Sequence, residues 1–356
     1  MLPPQAQRDI DTPDLGYHYA PIDFITHLVS VTNCSLTLAP GTAVACYNNS
    51  GLLLQEGSSI TCIGTPLTPN WLVGYQSAQE QPLALGGTTA SWSVNPLHAG
   101  TPAPIGTFRF TRFVCSPGGG TQFSDNSFSF GTLLLQDSEV WGGVIKFDGA
   151  ADTSLTVKNN LFYRGSSLSS TSFTNSLSLS NNLFWSVTSL TLKPPTSTQW
   201  SIFNNEFDSC TLSFQGAITS GNNAYWNCNK QLTPTNASDI TLTNAIAYQS
   251  GPLGDFYQLT NSALINVGSC TADLAGLFHY TVTTNLVSGF EIKEANTPVD
   301  IGLHYVAVDS NGQPIDTDGD GVPDYLADAN GNGVLDFGEI PFGITIDNPR
   351  NGSLVP

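Results

Sequence analysis

The sequence predicts an all-β chain: a parallel β-solenoid over residues 28–310, followed by a short acidic loop segment over 311–342. Three observations carry this. A motif built on paired asparagines recurs at intervals of 22, 23 and 18 residues. The composition is turn-rich and poor in helix formers, with 34 Gly, 22 Pro and only 11% charged residues, against about 25% charged in an ordinary domain. Ten of the 28 acidic residues fall between Asp300 and Asp347.

The repeat is the primary signal. It reads LTVKNNLFYR (155–164), LSLSNNLFWS (177–186), WSIFNNEFDS (200–209) and ITSGNNAYWN (218–227). The pairs are Asn159–Asn160, Asn181–Asn182, Asn204–Asn205 and Asn222–Asn223. Val157, Leu179 and Ile202 stand two places before the first three pairs, and Phe162, Phe184, Phe207 and Tyr225 stand two places after each pair. A further apolar strand begins at Leu168, Leu190 and Leu212. A period near 22 with short alternating strands is one turn of a parallel solenoid. Each coil sets its Val, Leu or Ile above the last, the ring fills the interior, and the bend amides form a ladder. No coil can bury its own face, so the stack is the stable unit.

This pattern resembles the right-handed parallel β-helix repeat, a fold shared with pectate lyases. The resemblance is clear over 130–230 and extends over about 28–290. It implies a right-handed parallel β-helix with little functional content of its own. CSLTLAPGTAVACYNNSGLLLQEGSSITCIGTP (34–66) alternates strand and Gly turn and reads as the first coils. Within the less regular 67–130, WLVGYQSAQEQP and SPGGGTQF read as loops. Gly118–Gly120 lacks the Lys-Ser/Thr and helix of a phosphate loop, so it is a turn.

TPDLGYHYAPID (12–23) echoes TPVDIGLHYVAVD (297–309). This suggests one module of a tandem protein, with 1–27 the end of a preceding module or linker. ITIDNPRNGSLVP (344–356) reads like the first strand of an immunoglobulin-like domain, so 343–356 would begin a following unit. In this arrangement the chain resembles a module of large secreted modular proteins of bacteria, in which a β-helix precedes a DxDGDGxPDYxED-type acidic repeat. That resemblance brings no activity with it. It implies flanking domains of the same parent chain as partners.

Net charge is −18, and the ten basic residues are scattered. No basic stripe is present to neutralise phosphates, so nucleic acid is excluded as a partner. Attraction to anionic lipid is disfavoured for the same reason, and no apolar run is long enough for membrane insertion. MLPPQAQRDI lacks the apolar region of a signal peptide. The seven Cys include no CxxC, which argues against zinc. They read as small core residues; in an oxidising compartment Cys34–Cys46 or Cys210–Cys228 could pair, and the sequence leaves that open.

The acidic stretch DTDGDGVPDYLADANGNGVLDFGE (316–339) carries seven acids and no base. A 12-residue calcium loop takes oxygens from positions 1, 3, 5, 7, 9 and 12, with Gly at 6. A loop begun at Asp328 fills every slot: Asp328, Asn330, Asn332, Gly333, the Val334 carbonyl, Asp336 and Glu339. A loop begun at Asp316 offers Asp316, Asp318, Asp320, Gly321, the Val322 carbonyl and Asp324, but Ala327 stands where Glu is usual. Asp328 or a water would complete that first, weaker site. One or two Ca2+ ions are expected, since so many protein oxygens suit an ion larger than Mg2+. Without cations the carboxylates would repel one another.

The ion's role is reached by elimination. A sensor EF-hand opens a helix pair onto an apolar groove, whereas DYLAD makes one helical turn and the chain has a single Met. A catalytic ion needs an open site beside a cleft, and these loops are expected to be closed and to lie beyond the solenoid. A staple remains, similar to thrombospondin type 3 repeats. Calcium-rich extracellular or cell-surface surroundings would fill even weak sites.

Other candidates weigh less. His18, His279 and His304 share a YHY, FHY or LHY phrase that reads as strand-end packing. Asp137, Glu139, Lys146, Asp148, Asp152, Lys158 and Arg164 form the densest charged patch, and coils could gather some of them for acid–base work on a polysaccharide. No GxSxG or HExxH occurs. Tyr163, Trp185 and Trp226 on successive coils could stack on sugar rings. The expected function is a structural or adhesive, calcium-stabilised β-solenoid module. The alternative is a polysaccharide-active or carbohydrate-binding β-helix, either a lyase or a hydrolase.

Overall fold

Short strands separated by sharp bends dominate the computed structural model. It describes residues 22–47, 51–75, 92–96, 101–115, 121–123, 130–146, 153–165, 167–171, 174–193, 199–216, 218–294, 297–334, 336 and 339. Sheet 1 has ten strands, from Phe24–Thr26 to Ile240–Thr241. Sheet 2 has eight, from Val29–Val31 to Leu212–Phe214, and sheet 3 has eight, from Ser35–Leu38 to Thr219–Gly221. Over most of this length, successive strands join sheets 1, 2 and 3 in turn and pair in parallel with the strands three earlier and three later. The chain is therefore all-β, with mostly parallel strands in stacked sheets, compatible with a parallel β-helix.

The repeated residues fall where the periodicity places them. Val157 pairs with Leu179 and Leu179 with Ile202, all buried. Phe162, Phe184, Phe207 and Tyr225 stack down the interior with centroids 4.7, 5.1 and 5.2 Å apart and near-parallel planes. Cys46, Cys62 and Cys210 are buried core residues. Burial pushes the Cys46 and Cys62 thiols up to about 11.

The two asparagines of each pair do different work. The second faces inward as the ladder rung. Asn160 N–H and Nδ2 both donate to Asn182 Oδ1 at 3.0 Å, and Asn182 Nδ2 donates to Asn205 Oδ1 at 2.9 Å. Asn205 N–H donates to Asn223 Oδ1, and Asn223 N–H to Asp239 Oδ1. Ser138 continues the row upstream by donating its N–H to Asn160 Oδ1. The first asparagine turns the corner at φ between 52° and 58°, a left-handed conformation that Asn tolerates better than most side chains.

The parallel ladders stop at Thr241, short of the boundary at 310 that the sequence suggested. Beyond it the pairing is antiparallel. Tyr248–Gly251 pairs with Gly254–Gln258, Tyr280–Thr281 with Tyr305–Val306, and Leu286–Val287 with Phe290–Glu291. Two four-residue helices, Ala272–Ala275 and Asp324–Ala327, accompany these strands. This segment folds back over the outer face of sheet 1, toward earlier coils. Ile301 and Leu264 pack at Ala224, and Leu303 and Phe256 at Leu161 and Leu183. The first asparagines hold it down. Asn222 Nδ2 donates to Val267 O, Asn181 Nδ2 to Asp300 O and Asn159 Nδ2 to His304 O, while His304 N–H donates to Asn159 Oδ1 at 2.7 Å.

The reason lies in sheet 1 itself. Its strands LFY, LFW and AYW carry apolar or aromatic side chains on both faces. Parallel strands of that kind need cover on both faces.

Candidate functional site

The acidic loops lie beside the stacked parallel sheets, not beyond them. Tyr325, the buried residue of the short helix between them, packs edge-on against Phe110 at 5.5 Å, and the Arg109 guanidinium lies 5.5 Å from its ring centre. Phe278 N–H donates to Gly331 O at 3.2 Å. Lys158 Nζ donates to Gly276 O at 3.2 Å, and burial lowers its pKa. The loops are thus pinned to the flank at the coils of Arg109 and Lys158, through the fold-back segment.

In the first loop, the carboxylates of Asp316, Asp318 and Asp320 offer oxygens all within 4.8 Å of one another. They are aimed by the loop's own amides. Asp316 accepts from the N–H groups of Gly319 and Gly321, Asp318 from Asp320, and Asp320 from Val322. Gly321 sits at φ +90° and Gly333, its counterpart, at φ +77°, as the sharp turn at position 6 requires.

Asp324, expected at position 9, is turned elsewhere. It accepts from Thr317 N–H at 2.8 Å, Thr317 Oγ1 at 2.6 Å and Lys293 Nζ at 3.0 Å. Burial pushes its pKa up, but these partners outweigh that and hold it below the usual range. The first loop therefore gathers three of its four expected carboxylates, and Asp324 anchors the helix instead.

The second loop is tied together more fully. Asp328 is buried and accepts from the N–H groups of Gly331, Asn332 and Gly333. Its Oδ2 also meets His279 Nε2 at 2.8 Å. Asp328 thus sits in the second loop and is not shared with the first. Asn330 Oδ1 accepts from Asn332 N–H, and Asn332 Oδ1 from Val334 N–H. Both amide nitrogens point at Asp336 Oδ2 at 3.0 Å. Glu339 closes the ring, accepting from Asn330 N–H at 3.1 Å and Asp336 N–H at 3.0 Å. Side chains at positions 3, 5 and 9 are thus tied to one another and Glu339 to the loop's own amides, while Asp328 is held by loop amides and His279. Among the described residues only Asp316, Asp318 and Asp320 bring three acid oxygens within 4.8 Å of one another. The gathered carboxylates of the first loop, and the Asp, Asn and Glu donors of the second, are the hard-oxygen types that a calcium ion takes.

Residues outside the motif position this loop. His279, expected as strand-end packing, stands between Asp328 (2.8 Å) and Asp324 (3.7 Å), with Lys293 Nζ 3.5 Å from its Nδ1. Burial depresses the His279 pKa, and Asp328 opposes that. Nothing in the local sequence marks His279 or Lys293 for this, because both come from a segment remote from the motif.

The other sequence candidates are drawn into structure. Asp137 is sealed under the fold-back segment, accepting from Arg109 Nε (2.7 Å), Tyr280 OH (2.8 Å) and Asn159 Nδ2 (2.8 Å). Glu139 pairs with Arg112 at 3.0 Å and accepts from Trp141 Nε1 at 2.8 Å. Arg164 lies over the Tyr163 and Trp185 rings. Asp148, Asp152 and His18 lie outside the described residues. Lys146 is partly buried on its strand Val144–Lys146. Tyr163 and Trp185 pack on Phe256 at 5.6 and 6.4 Å, so the fold-back segment takes the place offered to sugar rings. Trp226 is partly buried at the strand Ala224–Trp226.

One buried acid cluster has no signature in the sequence. Glu206 and Asp208 project from the same strand under Tyr248, whose hydroxyl donates to Glu206 Oε1. Glu206 Oε2 is buried without a partner. Burial, reinforced by Asp208 and eased by Tyr248, pushes the Glu206 carboxyl up to about 8. The pair is part of the packing seam between sheet 1 and the fold-back segment.

Comparison with known proteins returns no match: no family model, no curated protein and no solved structure resembles the chain closely enough to count.

Proposed function

We propose that the chain is a calcium-stabilised module built on a right-handed parallel β-helix, with a structural or adhesive role at a cell surface or outside the cell. Right-handed crossovers are the rule for parallel strands. The observation that carries the reading is the attachment of the second acidic loop. Asp328 is at once the first residue of the loop and the hydrogen-bond partner of His279 in the fold-back segment. An ion held by Asp328, Asn330, Asn332, Asp336 and Glu339 would tie that loop to the segment covering sheet 1. The first loop, with Asp316, Asp318 and Asp320 gathered, would take a second ion more weakly. The ion acts as a brace between fold-back segment and solenoid flank.

A lyase or hydrolase is the lesser reading. Asp137 and Glu139 are committed to Arg109 and Arg112, and a general acid or base needs a free carboxyl within reach of substrate.

The test is thermal unfolding in calcium and in chelator. A ligand at a hundred times its dissociation constant stabilises by about 2.7 kcal/mol, a shift of a few degrees for a chain of this size. Glu339→Ala should lose most of that shift in calcium and melt close to wild type in chelator. Identical melting of the wild type with and without calcium would overturn the proposal.

A further inference from the structure

A groove of about 400 Å3 opens where the fold-back segment stops covering the outer face of sheet 1. Its floor comes from three successive strands in register: Trp71 pairs with Arg112, and Arg112 with Glu139. Trp141, two residues after Glu139, stands beside them, and Asp255 and Phe256 of the fold-back hairpin make one wall. We propose that this groove is a binding site for a neutral glycan chain lying along the solenoid axis.

The lining has the two surfaces that a sugar ring presents. Trp71 and Trp141, both partly exposed, give aromatic and apolar area for the C–H faces, and the buried Phe256 backs the wall. Arg112 and Glu139 give planar donors and acceptors for hydroxyl pairs. Their placement is fixed beforehand. Arg112 Nη2 holds Glu139 Oε1 at 3.0 Å, Glu139 Oε2 takes the Trp141 Nε1 proton at 2.8 Å, and the guanidinium lies 5.0 Å from the Trp71 ring centre. Such a fixed polar row loses little freedom on binding. The Arg112 and Glu139 side chains keep 27% and 20% of their surface open, so donors and lone pairs remain for a ligand. Three strands at about 4.8 Å spacing give a floor roughly 10 Å long, which suits a linear oligomer.

Charge decides the class of glycan. One cation, Arg112, faces two carboxylates, Glu139 and Asp255, on a chain of net charge −18. A polyuronate or sulfated chain would be repelled. Both oxygens of Glu139 are engaged, so binding without cleavage is expected. The site deepens the adhesive half of the proposed function and rests on that reading for its biological sense, though not on calcium.

The experiment is affinity electrophoresis in gels carrying hydroxyethyl cellulose, xylan, mannan or mixed-linkage β-glucan, with polygalacturonate as the anionic comparison. Wild type should be retarded by at least one neutral polymer and not by polygalacturonate. Trp71→Ala and Arg112→Gln should each weaken retardation tenfold or more at unchanged melting temperature. Trp226→Ala, on a distant coil, should not. Where Trp71→Ala lowers melting, Arg112→Gln decides. Four results would overturn the site: no retardation by any neutral polymer, stronger retardation by polygalacturonate, equal loss in Trp226→Ala, or release of reducing ends. A calcium-dependent melting shift without glycan binding would sink the groove and leave the brace standing. Glycan binding without a calcium shift would do the reverse.

Discussion

Replacing Asn182 by Ala removes one rung from the middle of the amide ladder. The side chain makes four hydrogen bonds. Its Oδ1 accepts from Asn160 N–H and Asn160 Nδ2, and its Nδ2 donates to Val157 O and Asn205 Oδ1, all between 2.9 and 3.0 Å. The site is sealed from water. At a net value of about 1 kcal/mol each, four bonds give about 4 kcal/mol, and the Asn160 N–H left without its acceptor adds about 1–3 kcal/mol. The sum, about 5–7 kcal/mol, rivals the whole stability of many domains. Neighbouring Asn181 is the internal control. It turns the chain at φ 54° and donates one bond to Asp300 O at 3.1 Å, so Asn181→Ala should cost only about 1–2 kcal/mol. Urea unfolding of both variants, with amide exchange to locate the loss, measures the difference. Exchange should accelerate first in the coils around residues 157–205 in Asn182→Ala, because a stack is held by nearest neighbours. A loss below about 1 kcal/mol, or equal losses for the two variants, would refute the reasoning.

The packing seam makes stability depend on pH. Glu206 has a folded pKa of about 8 against 4.5 for the free side chain, so folding takes up a proton between those values. Its contribution is then fully present below about pH 4.5 and is lost as pH rises toward 8, by up to about 1.4 kcal/mol per pH unit. Glu291 and Asp300, both raised to about 7 by burial, act in the same direction. In chelator, wild type should become more resistant to urea from pH 8 to pH 6, and Glu206→Gln should flatten that slope. An unchanged slope in the variant would clear Glu206 of the effect. Gly302 lies at φ +105°, and a Cβ there would stand 2.6 Å from Glu206 Oε2. Gly302→Ala should cost about 2–4 kcal/mol and expose Tyr163 and Trp185, read as quenching of tryptophan fluorescence by acrylamide. Wild-type quenching in that variant would show that the segment docks without this contact.

Local periodicity was enough to read the coil. Asn160, Asn182, Asn205 and Asn223, with Phe162, Phe184, Phe207 and Tyr225, repeat because each coil must meet the same neighbours above and below. A repeat in space then becomes a repeat in sequence. In the loop begun at Asp328, the hydrogen bonds that tie Asn330, Asn332 and Asp336 together join residues within 12 consecutive positions, so local spacing was enough to single them out. Where side chains meet across distant segments, no local pattern records the meeting. The fold-back of residues 248–308 joins Asn159 to His304 and Arg109 to Tyr280, pairs 145 and 171 residues apart. The sequence did carry a hint in LFY, LFW and AYW, strands apolar on both faces, but not what covers them. Asp324 shows the same limit. Spacing assigned it to the first loop, and Lys293 and Thr317 turned it away. The sequence by itself determined what each coil repeats and which residues one loop can gather. Only the tertiary structure decided which face the chain returns to cover, because that choice rests on long-range burial and hydrogen bonding rather than on any local period.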